Sequence, residues 1–353
     1  RGQAMRLEPR KKSSVLLQGI APLFAICITM LLSSLLILWA GASPVQAFAL
    51  FIKGSIGSKF AIAETLTRTI PLIFTGLAAA VAFRAKLWNI GAEGQLYAGA
   101  CMATLLGTGM FNLPAWLMIP LLFIAGALAG GLLLLGPTLL KTKLAVDEVV
   151  TTLLLNFIVL LFVNWLIFGP WKDPMALGWP QAEPVIATAS LPLILAKTRL
   201  HLGLVVALAT ALLIWLLIKF TTWGYEIRAV GFNSKAAGFA GIKVNAVTIR
   251  TALLSGGIAG MAGVAELCGL KGYLTLDLSP GFGYSGIVVA MLAGLHPLGV
   301  VLSALFIAML SIGVDSMSRS LNISNYIADV ATAIALLAVL FGVLLSKYRI
   351  RWR

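Results

Sequence analysis

The chain has 353 residues, 60% of them hydrophobic and 11% charged, with a mean hydropathy of +1.01 and a formal net charge of +14. A soluble domain is about 45–50% apolar and about 25% charged. This composition therefore excludes an ordinary soluble enzyme, a disordered chain and a disulfide scaffold. Cys27, Cys101 and Cys268 lie far apart in apolar runs, the places of small core residues rather than of a disulfide framework or a zinc site. The basic residues are scattered between apolar runs, which suits the charge bias of a membrane topology better than nucleic-acid binding.

Charge acts as a ruler along the chain. No Asp, Glu, Lys or Arg occurs in 13–52, 94–140, 149–171, 200–218 or 278–314. Membrane helices need such runs because a charge in hydrocarbon costs several kcal/mol. Turn residues subdivide the runs and predict spans at 15–40, 62–83, 90–110, 115–138, 149–168, 201–219, 248–268, 282–295, 298–314 and 326–345. The first run is long and has no clear small-x-small cleavage site, so it is expected to be a retained helix. Most of the 26 Lys and Arg residues fall on one side if both termini are cytoplasmic, as the positive-inside rule requires of an even number of spans. Residues 1–14 are then a cytoplasmic tail. Residues 169–200, with five prolines from Pro170 to Pro192, form an irregular external loop, and the polar stretch 220–247 is the longest cytoplasmic loop. The whole of 1–353 is expected to be a single transmembrane domain.

The eighth span is short. Gly281-Phe282-Gly283-Tyr284 opens it and His296-Pro297 ends it. A helix of about 14 residues covers roughly 21 Å, less than the ~30 Å hydrocarbon core, so neighbouring protein must shield its ends. The third span opens comparably at Trp88-Asn89-Ile90-Gly91-Ala92-Glu93-Gly94-Gln95. The expected architecture is all-α and polytopic, with about ten transmembrane helices in two inverted five-helix halves and the special helices in matching places.

Asn89 and Glu93 are four apart, the spacing of one helix face. A carboxylate there suggests gating or pore lining. It also suits capping of the helix start or pairing with Arg84 or Lys86. Trp88, Phe282 and Tyr284 offer aromatic surface. Asn156, an amide inside the fifth span that is costly to leave unsatisfied, offers hydrogen bonds either to a neighbouring helix or to a path. Glu266 and Asp277 near the outer face are candidates to receive a protein, or simply local ionic groups. His201 and His296 sit at predicted helix ends, in solvent-facing or capping positions. No Gly-x-x-x-x-Gly-Lys-Ser/Thr occurs, so the chain is not expected to bind ATP. No nucleophile elbow, metal-ligand cluster or His-centred triad is present either, which leaves no catalytic residues and no metal site to name.

Three runs carry a resemblance. Leu87–Ala100 (LWNIGAEGQLYAGA), Gly224–Val244 (GYEIRAVGFNSKAAGFAGIKV) and Phe282–Gly299 (FGYSGIVVAMLAGLHPLG) resemble the third span, the coupling loop and the eighth span of permease subunits of bacterial ABC importers. More narrowly, they resemble the simple-sugar/nucleoside branch of the ribose and branched-chain amino-acid permease family. The resemblance implies a type II importer-like permease of the bacterial inner membrane with no enzymatic activity, carrying nucleosides or, alternatively, a simple sugar. It implies separate ATPase subunits that hold ATP and Mg, a second permease that is a paralogue or an identical copy, a substrate-binding protein, and no cofactor on this chain. It places ATPase coupling at Arg228, Gly231, Asn233, Ala236, Ala237, Gly241 and Ile242. The residues suited to the translocation path are Trp88, Asn89, Glu93, Gln95, Asn156, Phe282 and Tyr284. An ion-coupled secondary transporter also uses broken helices, but usually shows buried ion-binding carboxylates and has no need of so long a docking loop.

Overall fold

The computed structural model describes residues 5–9 and 15–352. Among the described residues, its regular elements are helices and one two-stranded antiparallel ribbon, β1 (Met5–Pro9) with β2 (Tyr348–Trp352). Among the described residues, seven helices are long and apolar enough to cross a membrane, or eight if a bent pair counts as one span. The chain is thus an all-α, multi-pass membrane protein. It divides into two compact units, one made of residues up to Thr65 and from Met309 onward, the other of Leu66–Ala308.

In the first unit, α1 (Val15–Trp39) packs on α13 (Asn325–Lys347). A helix not foreseen from the sequence, α2 (Pro44–Ile56), bends away by 114°. Gly41, at φ +85°, and Pro44 at the first helical position make that corner. Thr65, on α3 (Lys59–Arg84), donates its hydroxyl to the Ser55 carbonyl at 2.8 Å and ties α3 to α2. At the end of α12 (Pro297–Leu321), the Ser318 hydroxyl bonds the Ile323 carbonyl and Asn325 Oδ1, fixing the turn into α13.

The second unit is built around α4 (Ala92–Gly107), α5 (Ala115–Leu144) and α10 (Val244–Ala265). Small residues bring these helices into backbone contact. A Cβ at Gly99 would land on the Gly260 carbonyl, one at Gly130 on that of Gly256, and one at Gly263 on that of Leu96. Membrane helices lack a hydrophobic drive to associate, so such close approach is a main source of their packing energy. Around this centre lie α6 (Glu148–Phe168), α7 (Gly203–Phe220), the short α8 (Thr222–Phe232) and α9 (Ser234–Phe239), and α11 (Phe282–Leu292). A π-helical turn, Glu266–Lys271, extends α10. Every predicted span falls on a helix. Residues 169–200 are irregular, as their prolines dictate, and are tied down by backbone bonds from Ala182 to Leu274, Val185 to Gly272, Ile186 to Gly107 and Leu191 to Cys268.

Candidate functional site

Helices α4 and α11 meet at their starts. Gly281, at φ +98°, begins α11 without a side-chain cap of its own. Glu93, in the first turn of α4, supplies one. Its Oε2 accepts from the Gly283 amide at 2.8 Å and from the Ser279 hydroxyl at 2.9 Å, and Ser279 Oγ in turn accepts from the Phe282 amide at 3.0 Å. A carboxylate at a helix start is favoured by the helix dipole and by the free N–H groups there. Gly283 must be glycine because a Cβ would run into the Glu93 backbone. Tyr97, one turn on, donates to the Leu276 carbonyl at 2.6 Å and accepts from the Ser279 amide at 3.1 Å.

The segment before α4 is clamped by a second set of bonds. Helix α4 starts only at Ala92, so Asn89 lies in a non-helical stretch and does not share a helix face with Glu93. Its side chain pairs with that of Gln95 through two bonds of 2.9 Å and donates to Ser255 Oγ at 3.1 Å. Asn156 on α6 accepts from the Gly94 amide at 2.8 Å and donates to the Ile90 carbonyl at 2.9 Å and to the Tyr284 hydroxyl at 3.0 Å. Trp88 N donates to Glu148 Oε1, which also meets Lys141 Nζ at 2.6 Å. The expected pairing of Glu93 with Arg84 gives way to other partners, since Arg84 Nε donates to the Leu295 carbonyl at 2.9 Å. Asn89, Glu93, Gln95 and Asn156 are all at most 3% exposed. Phe282 is buried as well, with the Arg68 guanidinium 5.9 Å from its ring centroid. Trp88 and Tyr284, at 37% and 39%, are the members of this set that reach the surface of the chain.

The 220–247 segment folds into α8 and α9. Thr221 caps α8 by accepting from the Gly224 amide, and Asn233 caps α9 by accepting from the Ala236 amide, each at 3.1 Å. Ile227, Val230 and Ala237 turn inward onto Ala85 and Val247, with Ile242 packed beside them. Ala237 therefore seats the helix on its own chain rather than facing outward. Gly231 serves close approach, not a turn, since a Cβ there would strike the Arg84 carbonyl. The turn belongs to Gly241, at φ +90°. Arg228 is half-buried and its Nε donates to the Gly224 carbonyl at 3.4 Å. Asn233, Lys235 and Ala236 are exposed, and Phe232 and Phe239 stand out at 89% and 94%. Sequence reading missed these two phenylalanines because an apolar residue in an apolar chain carries no signal. A cleft of about 530 Å³ opens beside them, lined by Lys86, Lys141 and Lys235 with no acidic residue.

Between the π-helical turn and α11, Asp277 is exposed. The Thr275 hydroxyl, and then the Lys271 ammonium at 3.7 Å, hold its carboxyl below the usual range. Glu266 is only 2% exposed and is not placed to receive a protein. His201 is wholly buried, and its Nδ1 accepts from the Gly203 amide at the start of α7. At the start of α12 the exposed His296 accepts at Nδ1 from the Gly299 amide at 3.2 Å.

The family described as branched-chain amino acid transport system / permease component matches residues 61–346. The chain belongs to this family. It is 36% identical over 335 residues to the guanosine ABC transporter permease protein NupP of Bacillus subtilis, covering 94% of each chain. It is 31% identical over 322 residues to the nucleoside ABC transporter permease protein NupB of Lactococcus lactis, covering 89% of this chain and 88% of NupB. It is 29% identical over 356 residues to the glucose ABC transporter permease protein TsgB13 of Haloferax volcanii, covering 98% and 93%. The family match takes in the clamped segment before α4, the α4–α11 junction and the α8–α9 loop together.

Proposed function

We propose that this permease is the membrane subunit of an ABC importer that carries nucleosides across a bacterial inner membrane. The observation that carries this reading is the near-full-length similarity to a guanosine permease. A simple sugar is the second reading, favoured by the comparable coverage of a glucose permease. The subunit does no chemistry. Separate ATPases hold ATP and Mg, a binding protein delivers cargo, and a second permease, a paralogue or another copy, completes the pore.

Counting the bent pair once and α4 and α11 as short spans gives ten, which supports two five-helix halves in which α4 and α11 are both third. Interrupted helices in matching places point to the transport path of inverted-repeat carriers. In this reading Trp88 and Tyr284 present aromatic surface to the path. Phe282 lies behind Tyr284, and Asn89, Glu93, Gln95 and Asn156 form the hydrogen-bonded wall that holds them. The ATPase docks on α8–α9, with Phe232, Asn233, Lys235, Ala236 and Phe239 as the contact face beside the basic cleft. Arg228, Gly231, Ala237, Gly241 and Ile242 shape that face from behind.

The test is uptake in proteoliposomes holding the assembled transporter. Guanosine uptake should require ATP and stop when the ATPase is inactivated. Uptake that persists with a dead ATPase and follows a proton or sodium gradient would establish a secondary transporter instead. Guanosine left outside while glucose enters would establish the sugar reading. Both termini are assigned to the cytoplasm, and a second measurement checks this. A cysteine at Leu177, 98% exposed in the 169–200 loop, should react with an impermeant thiol reagent on spheroplasts, and one at Lys235 should not. Reversed labelling would invert the topology.

A further inference from the structure

Helix α4 has 16 residues, about 24 Å, against a hydrocarbon core of ~30 Å. Its start is fixed in the junction with α11, and it ends at Gly107. The 169–200 loop closes over that end, the Ile186 amide donating to the Gly107 carbonyl at 2.8 Å. Under this roof a recess of about 170 Å³ remains, lined by Thr104, Leu105, Thr108, Trp171, Lys172 and Glu183 among others.

The lining has a specific chemistry. The Thr104 and Thr108 hydroxyls each donate to a carbonyl one turn back at 2.9 Å, which leaves their oxygens able to accept. Among the described residues, neither Lys172 nor Glu183 has an ion-pair partner or a side-chain hydrogen bond. Lys172 is a free donor and Glu183 a free acceptor. Trp171 adds an aromatic face. Lys172 and Glu183 are both exposed and stand at the mouth of the recess, one charge of each sign. A neutral ring bearing several hydroxyls satisfies all of them, because each O–H both donates and accepts. The volume is well below the ~300–1,000 Å³ of sites that enclose a drug-sized molecule, so it suits one ring. The roof is also held in shape. The Asp173 carboxylate, 6% exposed, accepts from the Met175 amide at 3.0 Å and from Gln181 Nε2 at 3.4 Å, and Lys172 bridges to Ala182.

We propose that this recess is a subsite for the hydroxyl-bearing ring of the cargo, the chemistry shared by the ribose of a nucleoside and a simple sugar. The proposal rests on the cargo reading above. Leu105, which lines the recess without contributing a polar group, is the place for a reporter. In the assembled transporter without its binding protein, and with Cys27, Cys101 and Cys268 replaced by alanine, Leu105→Cys is labelled with an impermeant maleimide while D-ribose or guanosine is titrated. A ligand at about three times its dissociation constant should slow labelling about fourfold. Leu177→Cys, in the same loop but outside the recess, should be unaffected. Trp171→Ala or the isosteric Glu183→Gln should remove the protection at Leu105→Cys while the protein stays monodisperse. Labelling at Leu105→Cys that neither compound slows, or slowing that is equal at Leu177→Cys, overturns the subsite. Guanosine or glucose uptake by the unaltered transporter separates the two readings. If cargo is transported but nothing protects, the subsite alone fails, and if neither compound is transported, the cargo reading fails and the subsite with it.

Discussion

Replacing Glu93 by alanine should leave little folded permease. The carboxylate is 3% exposed and is the shared acceptor for the Gly283 amide and the Ser279 hydroxyl. Its removal strands two donors where the lining helices leave no room for bulk water. Each buried, unsatisfied group costs about 1–3 kcal/mol, and the start of α11 also loses a favourable charge worth up to about 2 kcal/mol in a partly buried setting. A total of about 2–8 kcal/mol is a large share of the about 5–15 kcal/mol that holds a folded domain together. Yield of monodisperse protein and the melting temperature in detergent read this directly. Glu93→Gln keeps an acceptor and loses the charge, so it should fall between the two. It also separates two roles for the residue. A Glu93→Gln variant that melts near the unaltered protein and transports normally leaves Glu93 as a cap in the wall. One that melts normally but takes up no cargo puts the carboxylate in the path itself. An alanine variant that melts unchanged would remove the junction from the account.

The sequence disclosed spans more readily than contacts, for a physical reason. Hydrocarbon excludes charge over a fixed thickness, so the runs at 94–140 or 278–314 mark helices by what they lack. The helix α2 escaped because its 13 residues include Lys53 and its run fell within a longer apolar stretch. The junction was legible as two odd helix openings, at Trp88–Gln95 and Gly281–Tyr284. That Glu93 caps the other opening was not legible, since the partners lie nearly two hundred residues apart and no local pattern encodes such a bond. Gly231, which the resemblance places in the coupling loop, proved to be a site of close approach to Arg84. The inward face of Ala237 was hidden for another reason. Helix α9 has six residues, fewer than two turns, and so has no periodicity from which a buried side could be read.

That reversal at Ala237 decides how the docking face should be probed. Aspartate at Ala237 would place a charge among Ala85, Ile227 and Val247 and cost several kcal/mol of the chain's own stability. A loss of transport there would say nothing about a partner. Aspartate at Phe239, 94% exposed, or at Phe232, 89% exposed, leaves that core untouched, so yield and melting temperature should hold. An aromatic anchor at the centre of an interface is typically worth about 2 kcal/mol or more, which is a loss of affinity of about 30-fold. Uptake driven by ATP should therefore fall at least about tenfold, and the ATPase should no longer co-purify at the same detergent and salt. The lysines of the adjoining cleft give the docking reading an electrostatic signature as well. If acidic side chains of the ATPase meet Lys86 and Lys235 in this cleft, Lys141 being paired with Glu148, added salt should weaken co-purification, and Lys235→Glu should weaken it further at low salt. Phe232→Asp and Phe239→Asp variants that retain the ATPase and transport at the unaltered rate would place these rings against lipid and move the docking site elsewhere on the chain.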